Sequence, residues 1–443
     1  MKSTDRIAAR APRTRPRAGV WPVLLLALGL SGCVTVPPVD ADIARAISKT
    51  DTQGRLNLLM KQDERISHRP FTAGNRVELL RNGPATFAAM ERAIESATRR
   101  IDMESYTFDS TEGAQFAALL LARRAAGVEV NLVYDAWGSM GTPAALFRKL
   151  RAGGVHVLEF NPLGPNARVP VDLNRRDHRK LLVVDAAVAI TGGVNISRVY
   201  ERGPPPPGST ATADTLPWRD TDVRITGPAV AQFERLFMQT WHAQRGPAIG
   251  LPPASPGWIR GHALVQAIDG TPAKEQPAIY RTLVVAIALA QRSVHLTTGF
   301  FAPPPELRHV LERAARRGVD VRIVVPDHST SSMAIAAGRA DYGDLLEAGV
   351  HILERHGVVL HAKTTVIDGD YSIVGSSNLD WRSVVFNDEI DAVVIDRPFG
   401  RQMEALFQQD EIHSVPIRLQ AWETRPLGER LEEWTARLIE PLL

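Results

Sequence analysis

At 443 residues, with 44% apolar and 23% charged residues, the chain is long enough for two cores of roughly 150 to 200 residues each and has a globular composition. A single cysteine excludes a disulfide scaffold and any intrachain bridge. Of 52 Lys+Arg and 49 Asp+Glu, six and one lie in residues 1–32, so the remainder carries 46 against 48, net −2. That balance argues against a general nucleic-acid binder, whose affinity comes largely from neutralising phosphates.

In chain order, Lys2, Arg6, Arg10, Arg13, Arg15 and Arg17 precede the apolar run WPVLLLALGL, which leads into LSGC ending at Cys33. A membrane-crossing helix needs about 20 apolar residues, so a simple transmembrane anchor is disfavoured. The segment reads as a processing signal and resembles a bacterial lipoprotein leader over 1–33, with Cys33 the lipidated residue. A secretory peptide with an incidental cysteine, or a short membrane-dipping segment, is the alternative. Val34, where an aspartate would favour inner-membrane retention, points to outer-membrane sorting. A linker or helical segment is expected over 34–74.

Beyond it the chain repeats itself once. A helical stretch (85–100), the strand-like IDMESYTF, an Ala/Arg-rich helix, GVEVNLVYD and RKLRAGGVHVLEF recur in the same order as AIYRTLVVAIALAQRS, VHLTTGFF, PELRHVLERAARR, GVDVRIVVPD and DLLEAGVHILE. Val- and Ile-rich runs bounded by Gly or Asp alternate with segments apolar at spacings of three and four, which predicts an α/β fold. The division expected is a first domain over 75–245, a Pro- and Gly-rich linker over 246–262, and a second domain over 263–443 with a helical tail. RGPPPPGSTATADT at 202–215 has no counterpart in the second half and reads as an inserted loop.

Within the repeat, DHRKLLVVDAAVAITGGVN places His178, Lys180, Asp185, Gly192 and Asn195 at the same offsets as His361, Lys363, Asp368, Gly375 and Asn378 in LHAKTTVIDGDYSIVGSSN. One copy could be an ordinary hairpin; two copies over eighteen residues point to a site. Alternation of side chains along a strand puts His361 and Lys363 on one face and Asp368 on the other. The DGD sequence predicts a two-residue turn at Gly369 and Asp370, pairing Asp368 with Tyr371 and setting His361 opposite Asn378. A turn at Ala186 and Ala187 sets His178 opposite Asn195 by the same count. Such a face suits a phosphodiester: ammonium and amide donors offset charge on the non-bridging oxygens, and imidazoles serve as nucleophile and proton donor. In-line displacement needs one such group on either side of phosphorus, and this chemistry requires no metal or other cofactor.

The duplicated pattern resembles the phospholipase D superfamily over most of 75–410, and within it the bacterial cardiolipin synthases: NRRDHRKLLVVD, GGVNIS, WRDTDVRITGPAV, LHAKTTVID and GSSNLDWRSVVFNDEI are similar to that family's signature stretches. TTGFFAP is similar too, with Gly299 where proline is usual. The resemblance implies two pseudo-symmetric α/β domains, each with a mixed sheet flanked by helices, and one active site at their interface. It implies a phosphohistidine on one histidine, here His178, with His361 as acid/base. Lys180 and Lys363 complete the catalytic set, with Asp185 and Asp368 orienting their hairpins. Asn195, Asn378, Gly193 and Ser376 would bind the substrate phosphate, and Asp220 and Glu389 would hydrogen-bond the imidazoles.

The expected partner is a phospholipid at a membrane surface, with no nucleic acid, acted on by a monomeric catalytic unit anchored in the cell envelope and facing the periplasm. Transfer to a phosphatidylglycerol hydroxyl gives cardiolipin; the alternatives are hydrolysis to phosphatidic acid and, against the charge, a periplasmic nuclease. His351 and His356 read as loop histidines, Trp218 and Trp381 as core residues with packing beside the cleft or lipid contact as the alternative, and Met140 as part of a loop.

Overall fold

The computed structural model describes residues 52–162, 174–204, 216–250, 258–272, 277–329 and 332–437, all within the compact unit Pro38–Leu443. The leader with Cys33, the Pro-rich loop from 205 to 215 and linker residues 251–257 lie outside the described residues. Among the described residues no helix is long and apolar enough to cross a membrane.

The Val- and Ile-rich runs form strands because most are buried on both faces, where β-branched side chains pack well. The first half supplies β1 (Thr72–Arg81), β2 (Arg100–Ser105), β3 (Glu129–Asp135), β4 (His156–Phe160), β5 (Arg176–Asp177), β6 (Lys180–Val184), β7 (Val188–Gly192), β8 (Trp218–Arg219) and β9 (Thr221–Thr226). The second supplies β10 (Ala263–Gly270), β11 (Ser293–Thr297), β12 (Phe301–Ala302), β13 (Asp320–Pro326), β14 (His351–Arg355), β15 (Val359–Leu360), β16 (Thr364–Ile367), β17 (Tyr371–Gly375), β18 (Leu379–Asp380), β19 (Asn387–Ile395) and β20 (Ser414–Ile417). One mixed sheet runs β20-β14-β13-β11-β16-β17-β19-β10-β1-β9-β7-β6-β2-β3-β4. Read inward from β14 and from β4, the two halves have the same order and meet where β1 pairs antiparallel with β10. The duplication is therefore a pseudo-twofold within one sheet, which runs on across the expected linker.

Helices cover both faces. Asn82–Glu95 and Glu112–Ala125 bury Phe87, Met90, Phe116 and Leu120 against Leu182, Val184 and Ile190. On the other face, Val230–Ala243 and Arg397–Ile412 bury Phe233, Phe237, Trp241, Phe399 and Met403 against Leu181, Val183, Val366, Val374 and Val394. That second core takes side chains from both halves and so holds the two motif hairpins in one body. Helix Thr52–Ser67 is tied to the second hairpin by buried Arg55, which pairs with Asp368 (3.2 Å) and Asp370 (2.5 Å), and by Asp63, which accepts from the Tyr371 hydroxyl (2.7 Å).

Both hairpins differ by one residue from the register expected. Ile367 pairs with Tyr371 and Val184 with Val188, so each turn holds three residues, Asp368–Asp370 and Asp185–Ala187. Asp185, Ala186, Asp368 and Gly369 adopt positive φ (53°, 54°, 53° and 71°), a conformation that aspartate and glycine tolerate best. The reason is tertiary. Asp185 turns its carboxylate onto the backbone N–H groups of Thr98, Arg99 and Arg100, and Asp368 does the same to Gln291, Arg292 and Ser293.

Candidate active site

Extending that register would set His361 opposite Ser377 and His178 opposite Val194, off the asparagines. The ladders stop first: β6 starts at Lys180 and β16 at Thr364, so both histidines lie in irregular backbone where strand parity no longer applies. Short inter-half pairings place them instead. β5 pairs with β19, and the His178 N–H donates to the Asp388 carbonyl (2.9 Å); β15 pairs with β8, and the His361 N–H donates to the Arg219 carbonyl (2.8 Å).

The same crossing repeats in the side chains. His178 Nδ1 lies 3.0 Å from both oxygens of Glu389 in the second half, and His361 Nδ1 lies 2.7 Å from Asp220 Oδ2 in the first. Each half thus orients the other's imidazole through Nδ1, leaving Nε2 for the cavity. Both rings line one cavity of about 360 Å³, together with Asn195, Asn378, Arg176 and Arg382. The Tyr106 ring meets His178 edge-on at 5.1 Å, and Trp218 lies 5.1 Å from His361.

Lys180 and Lys363 are almost fully buried beneath the cavity and do not line it. Lys180 Nζ donates to the His178 carbonyl (2.6 Å), and Lys363 Nζ donates to the His361 carbonyl. Asn195 Nδ2 donates to the Tyr200 hydroxyl (3.1 Å), which lies 3.2 Å from His361 Nδ1. The Asn378 Oδ1 is buried without a hydrogen-bond partner among the described residues, and the Asn378 side chain lines the cavity.

Burial dominates the electrostatics. It pushes Lys180 down to about 7 and Lys363 down to about 8, with Glu389 and Asp220 pulling back toward the charged form. His178 is held well below the usual imidazole range by burial and then by Lys180, Lys363 and Arg382. His361 is pushed down to about 3 by burial and Lys363, against the pull of Asp220.

Asp185 and Asp368 sit at the far ends of the hairpins and cap β2 and β11. Two expected phosphate contacts need correction. Ser376 Oγ donates to Glu389 (2.5 Å) and is fully buried, so its hydroxyl supports the carboxylate. Gly193 lies against Asp220; a Cβ there would fall 2.1 Å from its Oδ1. Trp218 lines the cavity, the alternative to core packing. His351 is exposed and His356 pairs with Asp327 (2.7 Å), and neither lines the cavity.

Asp222 and Asp391, two residues beyond the orienting carboxylates, receive the N–H of Val194 (3.0 Å) and of Ser376 (3.0 Å). They lean so close that a Cβ on Gly192 or Gly375 would come within 2.2 or 2.0 Å of a carboxylate oxygen, which explains the motif glycines. Arg176, Arg382, Tyr106 and Tyr200 were not singled out from sequence. Arg176 stands just before the first motif in NRRDHRK and Arg382 just after the second in LDWRS, where a basic residue beside each motif was the available signal. Tyr200 had none, since Ser383 occupies its place in the second copy. Among the described residues no group of three or more His, Cys, Asp or Glu is arranged to hold a metal ion.

A family model described as "Cardiolipin synthase, PLD-like domain" matches residues 90–202 and 283–411, which contain both motifs. The chain belongs to this family. It is 31% identical over 392 residues to a cardiolipin synthase of Geobacillus sp. (strain WCH70), covering 87% of this chain and 76% of that protein. To cardiolipin synthase A of Pseudomonas aeruginosa it is 34% identical over 386 residues, covering 86% of this chain and 76% of that one. The fold is similar to the crystal structure of phosphatidylserine synthase from Haemophilus influenzae Rd KW20, with a TM-score of 0.63 at 14% identity, over 87% of this chain and 100% of that one. The chain is a phospholipase D-type phosphatidyltransferase.

Proposed function

We propose that the chain moves a phosphatidyl group from one phosphatidylglycerol to a hydroxyl of another, giving cardiolipin and glycerol through a phosphatidyl-histidine on His178. The observation that carries this reading is a pair of imidazoles lining one cavity, each tied at Nδ1 to a carboxylate of the opposite half.

His178 Nε2 attacks phosphorus; the bond from phosphorus to the glycerol oxygen breaks, and His361 supplies the proton that this oxygen needs. His361 then takes the proton of the incoming hydroxyl as it attacks phosphorus and His178 departs. The order follows the surroundings: burial and then Lys180, Lys363 and Arg382 disfavour a proton on His178, whereas at His361 burial and Lys363 are opposed by Asp220, which pulls that ring toward the protonated form. An arriving phosphodiester anion pulls His361 further the same way. Asn195, Asn378 and the buried lysines supply the donors and positive field that offset charge on the non-bridging oxygens.

The test is to incubate the purified protein with phosphatidylglycerol and follow lipids and intact protein by mass spectrometry. Cardiolipin plus glycerol is expected, and His361→Ala should accumulate a phosphatidyl adduct on His178. Phosphatidic acid alone would make water the acceptor, and turnover by His178→Ala would overturn the mechanism.

We also propose that the leader ending at Cys33 is processed to a lipid anchor, placing the enzyme in the cell envelope facing the periplasm. Cys33→Ala should release the protein from washed membranes; retention at wild-type levels would refute the anchor.

A further inference from the structure

A second, smaller cavity of about 40 Å³ lies in the second half only. It shares Asn378 with the reaction cavity, has Lys363 in its wall, and is otherwise lined mainly by apolar side chains such as Ile279, Leu283, Leu307 and Ile373. Neither imidazole lines it.

Its origin is a break in the pseudo-symmetry. The hairpin registers and motif offsets make Leu182, Val194 and Tyr200 the counterparts of Thr365, Ser377 and Ser383. In the first half those three large side chains pack into the continuous core with Phe87 and Met90. Their smaller, hydroxylated counterparts line the second-half cavity. A fold that closes this space in one copy leaves it open in the other, although an unfilled core void costs stability.

We propose that this crevice receives the glyceryl end of the diacylglyceryl arm, the one carbon substituent that stays on phosphorus throughout the transfer. The inference rests on the lipid-transfer reading above and adds the orientation of the donor. In an in-line displacement the entering and leaving atoms lie along the axis between the two imidazoles. The other three substituents, two non-bridging oxygens and the retained ester oxygen, spread around the equator. In the transfer reading the Asn378 amide and the charge of Lys363 beneath it act on the equatorial oxygens, so a crevice that begins at Asn378 and avoids both histidines meets the retained arm and neither alcohol. Its volume admits about three water-sized groups, enough for the first carbons beyond the ester oxygen, with the acyl chains continuing outside. Because Leu182, Val194 and Tyr200 fill the equivalent place in the first half, the donor enters in one orientation, and the two histidines acquire distinct roles in a nearly symmetric site.

The experiment fills the crevice by copying the first half, with Thr365→Leu, and independently with Ile279→Phe from the opposite wall. Each is assayed on phosphatidylglycerol in mixed micelles and on bis(p-nitrophenyl) phosphate, a soluble diester without the arm, with the melting temperature as a check on folding. A tenfold or larger rise in KM for the lipid, with kcat/KM for the soluble diester within twofold of wild type, is the expected result. An unchanged lipid KM in a folded variant, or equal losses on both substrates, overturns the proposal alone. A wild-type protein that cleaves the soluble diester and ignores phosphatidylglycerol overturns the lipid reading together with it.

Discussion

Replacing Asp220 by asparagine tests the orienting carboxylates most sharply, because the surroundings dictate which way the amide must turn. Asp220 Oδ1 accepts the Thr221 N–H at 2.8 Å, so the carbonyl of the amide must stay there. The NH₂ then takes the place of Oδ2, 2.7 Å from His361 Nδ1, and offers a donor where the ring has its own N–H. The imidazole must move its proton to Nε2, where it can no longer accept one from the incoming hydroxyl. Wrong-tautomer substitutions of this kind lower kcat by about 10⁴-fold in hydrolases with an oriented histidine. Glu389→Gln is gentler, since both Glu389 oxygens lie 3.0 Å from His178 Nδ1, and Ser376 Oγ, which donates to one of them, also sits 3.3 Å from the Ile390 carbonyl. The Ser376 hydroxyl can turn away and leave a carbonyl for the ring. Only charge assistance is lost, about 1.5 to 3 kcal/mol, or roughly 10- to 150-fold. The assay is steady-state transfer with matched melting temperatures. Asp220→Asn within tenfold of wild type, or Glu389→Gln the more damaging of the two, would refute the reasoning.

Burial sets the lysines near 7 and 8, and a basic group so lowered loses its charge as pH rises through those values. The kcat/KM for lipid should therefore fall above about pH 8, while kcat, measured with phosphate bound beside the ammonium groups, holds further; a kcat/KM profile flat to pH 9.5 would contradict this. Asp368→Ala removes three N–H caps and one of the two carboxylates beside buried Arg55, so by urea denaturation it should cost more than Asp185→Ala, which breaks no ion pair among the described residues and should cost about 1 to 3 kcal/mol; both should keep near-normal turnover per folded molecule. Gly193→Ala forces Asp220 away from His361 and should lower turnover at least 100-fold while leaving the circular dichroism spectrum unchanged.

Much of this site was legible before any coordinates. Identical offsets of His, Lys, Asp, Gly and Asn in two copies announced both the duplication and the chemistry, because motif spacing is a property of the chain alone. The positions of Asp220 and Glu389 after each motif were enough to suggest partners for the imidazoles. Hairpin register was not readable locally: three N–H groups at the start of β2 and of β11 draw the turn aspartates into positive φ and lengthen both turns by one residue. Nor could spacing reveal that each carboxylate serves the histidine of the other half, since that depends on β5 meeting β19 and β8 meeting β15 across a pseudo-twofold. Tyr200 beside His361 and the crevice beside Lys363 are both departures from the repeat, and a departure acquires meaning only when the two halves are folded together. Local patterns record which groups the chain carries, whereas packing between distant segments selects the groups that share a cavity and the face each one turns toward it.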